Sequence, residues 1–403
     1  MRRPFLYSAL AITISLSTTS GLAGQTSTAG PYRVLKTARV GGEGGTDYIF
    51  ADSVGRRLYI TRNAVRAVAA TDTTPATPAV EKRVTIFDLD TLAAIGEVPG
   101  VAGNGATVCP ATGHGFTSDH PLPAMFDVKT MKLIKNIDVP APAAPGGPTF
   151  SADGIYCDTS SNRVYIGSHP TRSLMVVDAR DGKVLGNIDL GGTPEQTIGD
   201  GKGKIYQVLQ ERPGSVAVID AKTMKVTATY PFGDSVTGNG SCNGLALDAK
   251  NGILFAACAA IGPAPARGVA GQPAPPAAAP DPNAKPPQTF VILSAKDGKI
   301  LARLPLAGGS DGATFNPSTM EAFSSQGNGT MTIVTEKNRT TFEVEQNLST
   351  MNGARTIAFD SKTGHLFVMA SERGPAPAPP PGGGRGGQAP VIPGSFSILM
   401  IGK

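Results

Sequence analysis

Short runs in which apolar residues alternate with other residues recur along almost the whole chain, each followed by a polar turn and a second run. Val216–Tyr230 shows the unit: Val216 and Val218 alternate before Asp220-Ala-Lys-Thr223, and Met224, Val226 and Ala228 alternate after it. Alternation at period two around turn-forming residues predicts two strands joined by a tight turn. Variants begin at Val84, Ala124, Leu174 and Phe290, with a divergent copy from Met331. Upstream of each copy lies a glycine-bearing turn, a short strand ending in Asp or an equivalent, another tight turn and a further strand. Gly238–Ala257, Gly45–Ile60, Asp153–Ile166 and Gly353–Val368 show this upstream half.

Four strands per repeat of about 40–45 residues is the pattern of a β-propeller blade. First strands are predicted to begin near residues 46, 104, 152, 194, 242, 310 and 354, which makes seven blades. The last blade lacks two strands, and the chain ends supply them, Ser395–Ile401 as its third and Tyr32–Gly42 as its fourth. Closing the ring in this way removes the unpaired edge of an open array. The expected fold is all-β over residues 31–403: a seven-bladed β-propeller of four-stranded blades, with N- and C-terminal strands sharing one blade.

The pattern Gly-x-x-x-Gly-Leu-Ala-Leu-Asp…Leu-Phe-Ala-Ala of blade five, taken with Val-Ala-Val-Ile-Asp-Ala-Lys-Thr-Met-Lys-Val of blade four, resembles the YVTN-type β-propeller repeat. The Tyr-Val-Thr-Asn string itself is approximated by Tyr59-Ile-Thr-Arg-Asn63 and Tyr165-Ile-Gly-Ser168. The resemblance implies the propeller fold and an exported protein. It leaves open a binding protein, a surface-layer component or an enzyme domain.

Composition narrows these readings. Glycine (50) and proline (34) are abundant, but much of both sits in repeated turns and three local runs. Arg2 and Arg3, the apolar run Phe5–Leu16 and the small residues around Gly21-Leu-Ala-Gly24 match a secretory signal spanning residues 1–24, cleaved near Ala23 or Gly24. The expected location is therefore periplasmic or secreted. No cysteine near the cleavage site suggests a lipid anchor, and no later stretch is long and apolar enough to span a bilayer. The net charge of +5 loses two units with Arg2 and Arg3, and no basic stripe with interleaved aromatics appears, so no nucleic-acid partner is expected. The expected state is a monomer that meets an unknown protein or small-molecule ligand.

Three insertions, 64–82, 261–288 and 374–393, fall between the second and third strands of blades one, five and seven. In a propeller these loops share a face with the blade-to-blade connections. Their proline-rich composition favours extended segments. They read either as drift at a permissive surface or as a recognition fringe on a rigid scaffold.

Aligning the first strands brings Asp47, Gly105, Asp153, Glu195, Asn243, Asp311 and Arg355 into one column at the channel mouth on that face. Such crowding calls for an ion pair to Arg355, for a hard cation such as calcium on Asp47, Asp153, Glu195, Asn243 and Asp311, or for raised carboxyl pKa values. Equally, Asp and Asn before a strand can serve only the adjoining turn. A second column after the second strands places His120 beside His169, followed by Glu211 and Arg212, either as two histidines able to hold metal or as plain turns before proline. His114 and His365 fall on the opposite face. Among the cysteines, the blade-five register sets Cys242 opposite Cys258, which permits a disulfide. Cys109 and Cys157 align as equivalents in adjacent blades and are expected as separate small buried residues.

No His-Glu-x-x-His, paired Cys-x-x-Cys, haem or Walker pattern is present. The leading expectation is a non-catalytic exported binding scaffold using the insertion-bearing face. The alternatives are a metal-dependent, lactonase-like hydrolase at the carboxylate column and a structural cell-surface component.

Overall fold

The spelling Asp-x-x-Thr-Met in the repeat has a local cause. In the computed structural model, which describes residues 29–70, 76, 78–210, 214–232, 242–258, 288–375 and 389–403, that sequence closes the turn between third and fourth strands. Asp220 Oδ1 accepts from the Thr223 amide at 2.7 Å and from its hydroxyl at 2.8 Å, and the Met224 amide donates to the Asp220 carbonyl at 2.8 Å. Met224 then sits in the left-handed region (φ 55°), as do Leu92 and Met131, while Gly182 and Gly298 fill the same position in blades three and five. A side chain in that region costs about 1–2 kcal/mol. Packing offsets part of it. The Met131 sulfur lies where a Cβ on Gly96, in the fourth strand of blade one, would stand, and Met224 packs over Gly186 of blade three at a looser distance.

The strands form seven four-stranded antiparallel sheets, and the described residues contain no helix, hence none able to cross a membrane. Six sheets use strands consecutive in sequence. The seventh combines Ile357–Phe359, Leu366–Ala370 and Ser397–Gly402 with Arg33–Arg39, paired from Arg33 opposite Gly402 to Arg39 opposite Ser397. The pairing of third with fourth strand slips once in each of blades one to five, for instance between Val218 and Ile219, and twice in blade six. A slip of this kind is a bulge and increases the local twist.

The core is divided. Seven apolar clusters each lie at one junction between neighbouring blades, such as Tyr59, Val84, Ile86 and Phe126 between blades one and two. Each blade therefore buries both faces, one against each neighbour. Charged contacts support the junction between blades seven and one, where Arg56 Nη1 meets the fully buried Asp360 at 2.7 Å.

The insertions of blades one and seven leave the sheet through short antiparallel bridges, Val65 with Val80 and Arg373 with Val391. Residues 1–24, expected as a secretory signal, lie outside the described residues, as does nearly all of 261–288.

All four cysteines are in disulfides. Cys242 and Cys258 face each other in register within blade five and are bonded. Cys109 and Cys157, expected as separate residues, are also bonded, with Cα atoms 5.8 Å apart. The expectation failed by one residue of register. In blade two the last pair before the first turn is Cys109 with His114, whereas in blade three it is Asp158 with Arg163. Cys109 therefore corresponds to Asp158, and a one-residue offset points a side chain to the opposite face of a sheet. The two cysteines meet inside the cluster between blades two and three.

Candidate functional site

Glycine-bearing connections deliver each blade's first strand to the central channel, so the residues at the start of those strands converge at its mouth. Their side chains form a continuous chain of contacts through all seven blades. Asn104 donates to Asp153 Oδ1. Asp153 Oδ2 stands 2.6 Å from His169 Nε2, which is 3.4 Å from Glu195 Oε1. Gln210 Nε2 donates to Glu195 Oε1 and, at 3.3 Å, to Asn243 Oδ1, and Asn243 Nδ2 donates to Asp311 Oδ1 at 2.6 Å. Arg355 bridges Asp311 (2.8 Å) and Asp47 (3.0 Å). Between blades one and two the column has only Gly105, and Tyr48 lies over it: a Cβ there would stand 3.1 Å from the Tyr48 Cβ. The Tyr48 hydroxyl donates back across the mouth to Glu195 Oε2 at 3.0 Å.

Of the three remedies for like-charge crowding, two operate among these residues. Arg355 pairs with Asp47 and Asp311. Burial raises the Asp47 pKa to about 6 against the pull of Arg355, and burial also raises that of Glu195. For Asp153 burial acts in the same direction, but contacts from His169 and Asn104 hold its carboxyl below the usual range. His169 supplies a second cation. Asp153, then Glu195, raise its pKa to about 10, so its imidazole is protonated at neutral pH. Its Nε2 is held between the two carboxylates, closer to Asp153 than to Glu195.

One ligand atom each from Asp153, His169 and Glu195 lie within 4.8 Å of one another. One imidazole with two carboxylates suits zinc or another transition metal better than calcium, which prefers oxygen alone. This set differs from the five-residue oxygen set read from the sequence, because Asp47 and Asp311 are occupied by Arg355 and Asn243 by Asp311.

His169 and His120 do not share a position. Blade two's second strand ends at Thr117 and blade three's at Ser168. His169 is thus the first residue past its strand and turns into the mouth, whereas His120 is the third past its own and is exposed on the rim. The His120 carbonyl accepts from Lys82 Nζ at 3.1 Å, and Lys82 also pairs with Asp119 at 2.8 Å. Gln210 likewise follows a second strand directly, so a column drawn from the strand ends would have joined it to His169. Glu211 and Arg212 lie outside the described residues. Below the ring, Gln196 reaches from blade four to the backbone of blades five and six, accepting from Leu245 and Ala313 and donating to the Ala313 carbonyl at 2.9–3.0 Å. It narrows the channel beneath the mouth, a role nothing in the alternation pattern announced.

Gly308-Gly-Ser310-Asp-Gly312 spells the Gly-x-Ser-x-Gly string of hydrolase elbows. Ser310 is no nucleophile of that kind: it is buried on a strand, donates to the Gly312 carbonyl at 3.0 Å and accepts from Ser324. No helix follows it and no histidine contacts it among the described residues.

No protein-family model matches the chain, and no curated protein matches it. Solved structures do resemble it. A chain in "Crystal Structure of Mitotic Checkpoint Complex" aligns with a TM-score of 0.60 at 9% identity, covering 90% of this chain and 95% of that one. A chain of the Kuenenia stuttgartiensis hydrazine synthase aligns with a TM-score of 0.58 at 15% identity, covering 87% and 96%. At these identities the likeness is one of fold.

Proposed function

We propose that the chain is an exported, non-catalytic binding scaffold that holds a small polar ligand at the channel mouth, on the face bearing the insertions. The observation that carries this reading is the continuous ring of contacts from Asn104 through Arg355 to Asp47. It presents both signs of charge in fixed positions, and rigid, preorganised polar groups are what selective capture of a small ligand requires. The secretory pattern of residues 1–24 supports export, which cell fractionation checks.

Native mass spectrometry of the purified chain tests the binding reading. A bound species is expected on the unaltered protein and is expected to be lost from the Asp153→Ala, Glu195→Ala double variant at unchanged fold. The same added mass on both proteins, or no adduct on either, would sink the reading.

A metal-dependent hydrolase is the second reading, favoured by the Asp153, His169 and Glu195 cluster. Those three residues would hold the ion, which would act as a Lewis acid and lower the pKa of a bound water. Stoichiometric metal together with turnover of a lactone or ester panel, both lost in the double variant, would put this reading in place of the scaffold.

A further inference from the structure

A cavity of about 570 Å³ opens on the insertion-bearing face between blades seven and one. It touches the channel mouth through Asp47 and Arg355, but its most unusual wall residue is Arg62. Arg62 ends the second strand of blade one and is only 3% exposed. Its Nη2 donates to the Gly42 carbonyl, its Nε donates to the Glu43 carbonyl at 3.3 Å, and its guanidinium lies over the Phe396 ring at 3.8 Å. Its Nη1 is buried without any acceptor.

Among the described residues no carboxylate stands within ion-pair distance of Arg62. The Glu43 carboxylate accepts from the Gly394 amide at 3.2 Å and, beyond ion-pair distance, still favours the Arg62 cation through its charge. Burial, with Arg83 close by, lowers the Arg62 pKa to about 10, which still leaves the group charged at neutral pH. A buried cation with an orphaned donor is costly, and a cation–π contact offsets only part of that cost. The missing partner is an anion. Arg355 and Arg373 line the same cavity, so its cations outnumber Glu43 and Asp47. Met369, Ile392 and Phe396 give it an apolar wall.

We propose that this cavity binds a small organic carboxylate with an apolar body, its carboxylate on Arg62 and its body against Phe396, Met369 and Ile392. A planar guanidinium with a free donor is suited to carboxylate recognition. This site goes beyond the channel-mouth reading, because Arg62 belongs to no part of the ring.

Titration calorimetry with benzoate, phenylacetate and hexanoate, against the matching neutral amides, tests it. At least one acid is expected to bind with 1:1 stoichiometry, at least tenfold more tightly than its amide. Arg62→Met keeps an unbranched apolar side chain while removing the guanidinium and is expected to weaken that binding at least tenfold. Should this variant fail to fold, Ile392→Asp at the cavity's partly exposed wall places a negative charge there and is expected to have the same effect. The Asp153→Ala, Glu195→Ala double variant is expected to bind the acid normally, which separates this site from the channel mouth. The proposal is overturned if no acid binds more tightly than about 1 mM. Equal binding of acid and amide, inorganic phosphate binding as tightly as the best acid, or undiminished binding in a folded variant would each overturn it as well.

Discussion

Replacing Cys109 and Cys157 together by alanine is expected to lower the stability of the oxidised protein by about 4 kcal/mol. The bridge spans 48 positions of sequence and ties the first strand of blade two to the first strand of blade three. Without it, the unfolded chain regains the freedom of a long loop that includes the outer strands of blade two. Cys242–Cys258 spans 16 positions and closes a hairpin that is already in register, so the same argument gives about 3 kcal/mol for it. Alanine is the better replacement, since serine would add a buried hydroxyl to an apolar cluster. Urea unfolding of the two double variants against the parent measures both effects. A loss under about 1 kcal/mol for the Cys109, Cys157 pair would show that the bridge does not restrict the unfolded ensemble as the chain-entropy argument requires.

The second large effect is one of pH and lies on the opposite face. Raising pH from 4.5 to 7 is expected to weaken the folded protein by about 2–3 kcal/mol through Glu336 alone. Glu336, in blade six, is 4% exposed, and burial raises its pKa from 4.5 to about 7. Asn251 opposes this by donating to Oε1 at 2.7 Å, the Asp248 carboxylate of blade five adds to it, and Arg339 opposes it. Glu336 Oε2 and Asp248 Oδ2 are both buried and accept from no N–H or hydroxyl, which leaves the Glu336 carboxyl proton as what joins the pair. The folded state keeps the Glu336 proton up to about pH 7, whereas the unfolded chain releases it near 4.5. Between those values the unfolded state binds fewer protons, so stability falls with rising pH, and the contribution is level on either side of the window. Urea unfolding at pH 4.5 and at pH 7.5 is expected to show a loss in Glu336→Gln that is smaller than the parent's by about that amount, since Asp47 and His169 contribute to both proteins. Parallel losses in the two proteins would place the effect elsewhere.

The fold was legible because its causes are local. Period-two alternation, the Asp-x-x-Thr turn and the glycine that opens each blade act within a few residues. The ring closure needed only that two leftover strands find each other. Contacts at the site were less legible, because they join residues from different blades. The column containing Asp47, Asp153, Glu195, Asn243, Asp311 and Arg355 could be read, but not that His169 would stand between two of its carboxylates. That depended on a second strand ending two residues nearer to the His-Pro pair in blade three than in blade two. Cys109 was misread through an offset of one residue, the smallest error that reverses a side chain's direction. Tyr48, Gln196 and Arg62 sit among ordinary strand and turn residues, and only the approach of neighbouring blades gives each its role.

The pairing of Arg33–Arg39 with Ser397–Gly402 also sets an order of events for folding. Six blades can form from strands that follow one another along the chain, but the seventh stays incomplete until nearly the last residue is available. Until then Arg33–Arg39 has no partner, and the apolar faces of blades one and seven have not met across their junction. Contacts so distant in sequence are slow to form, because loop closure is paid before they stabilise anything. A chain cut short within its final ten residues should therefore persist as an open arc with two uncovered faces, prone to associate with other copies rather than to behave as a slightly weakened ring.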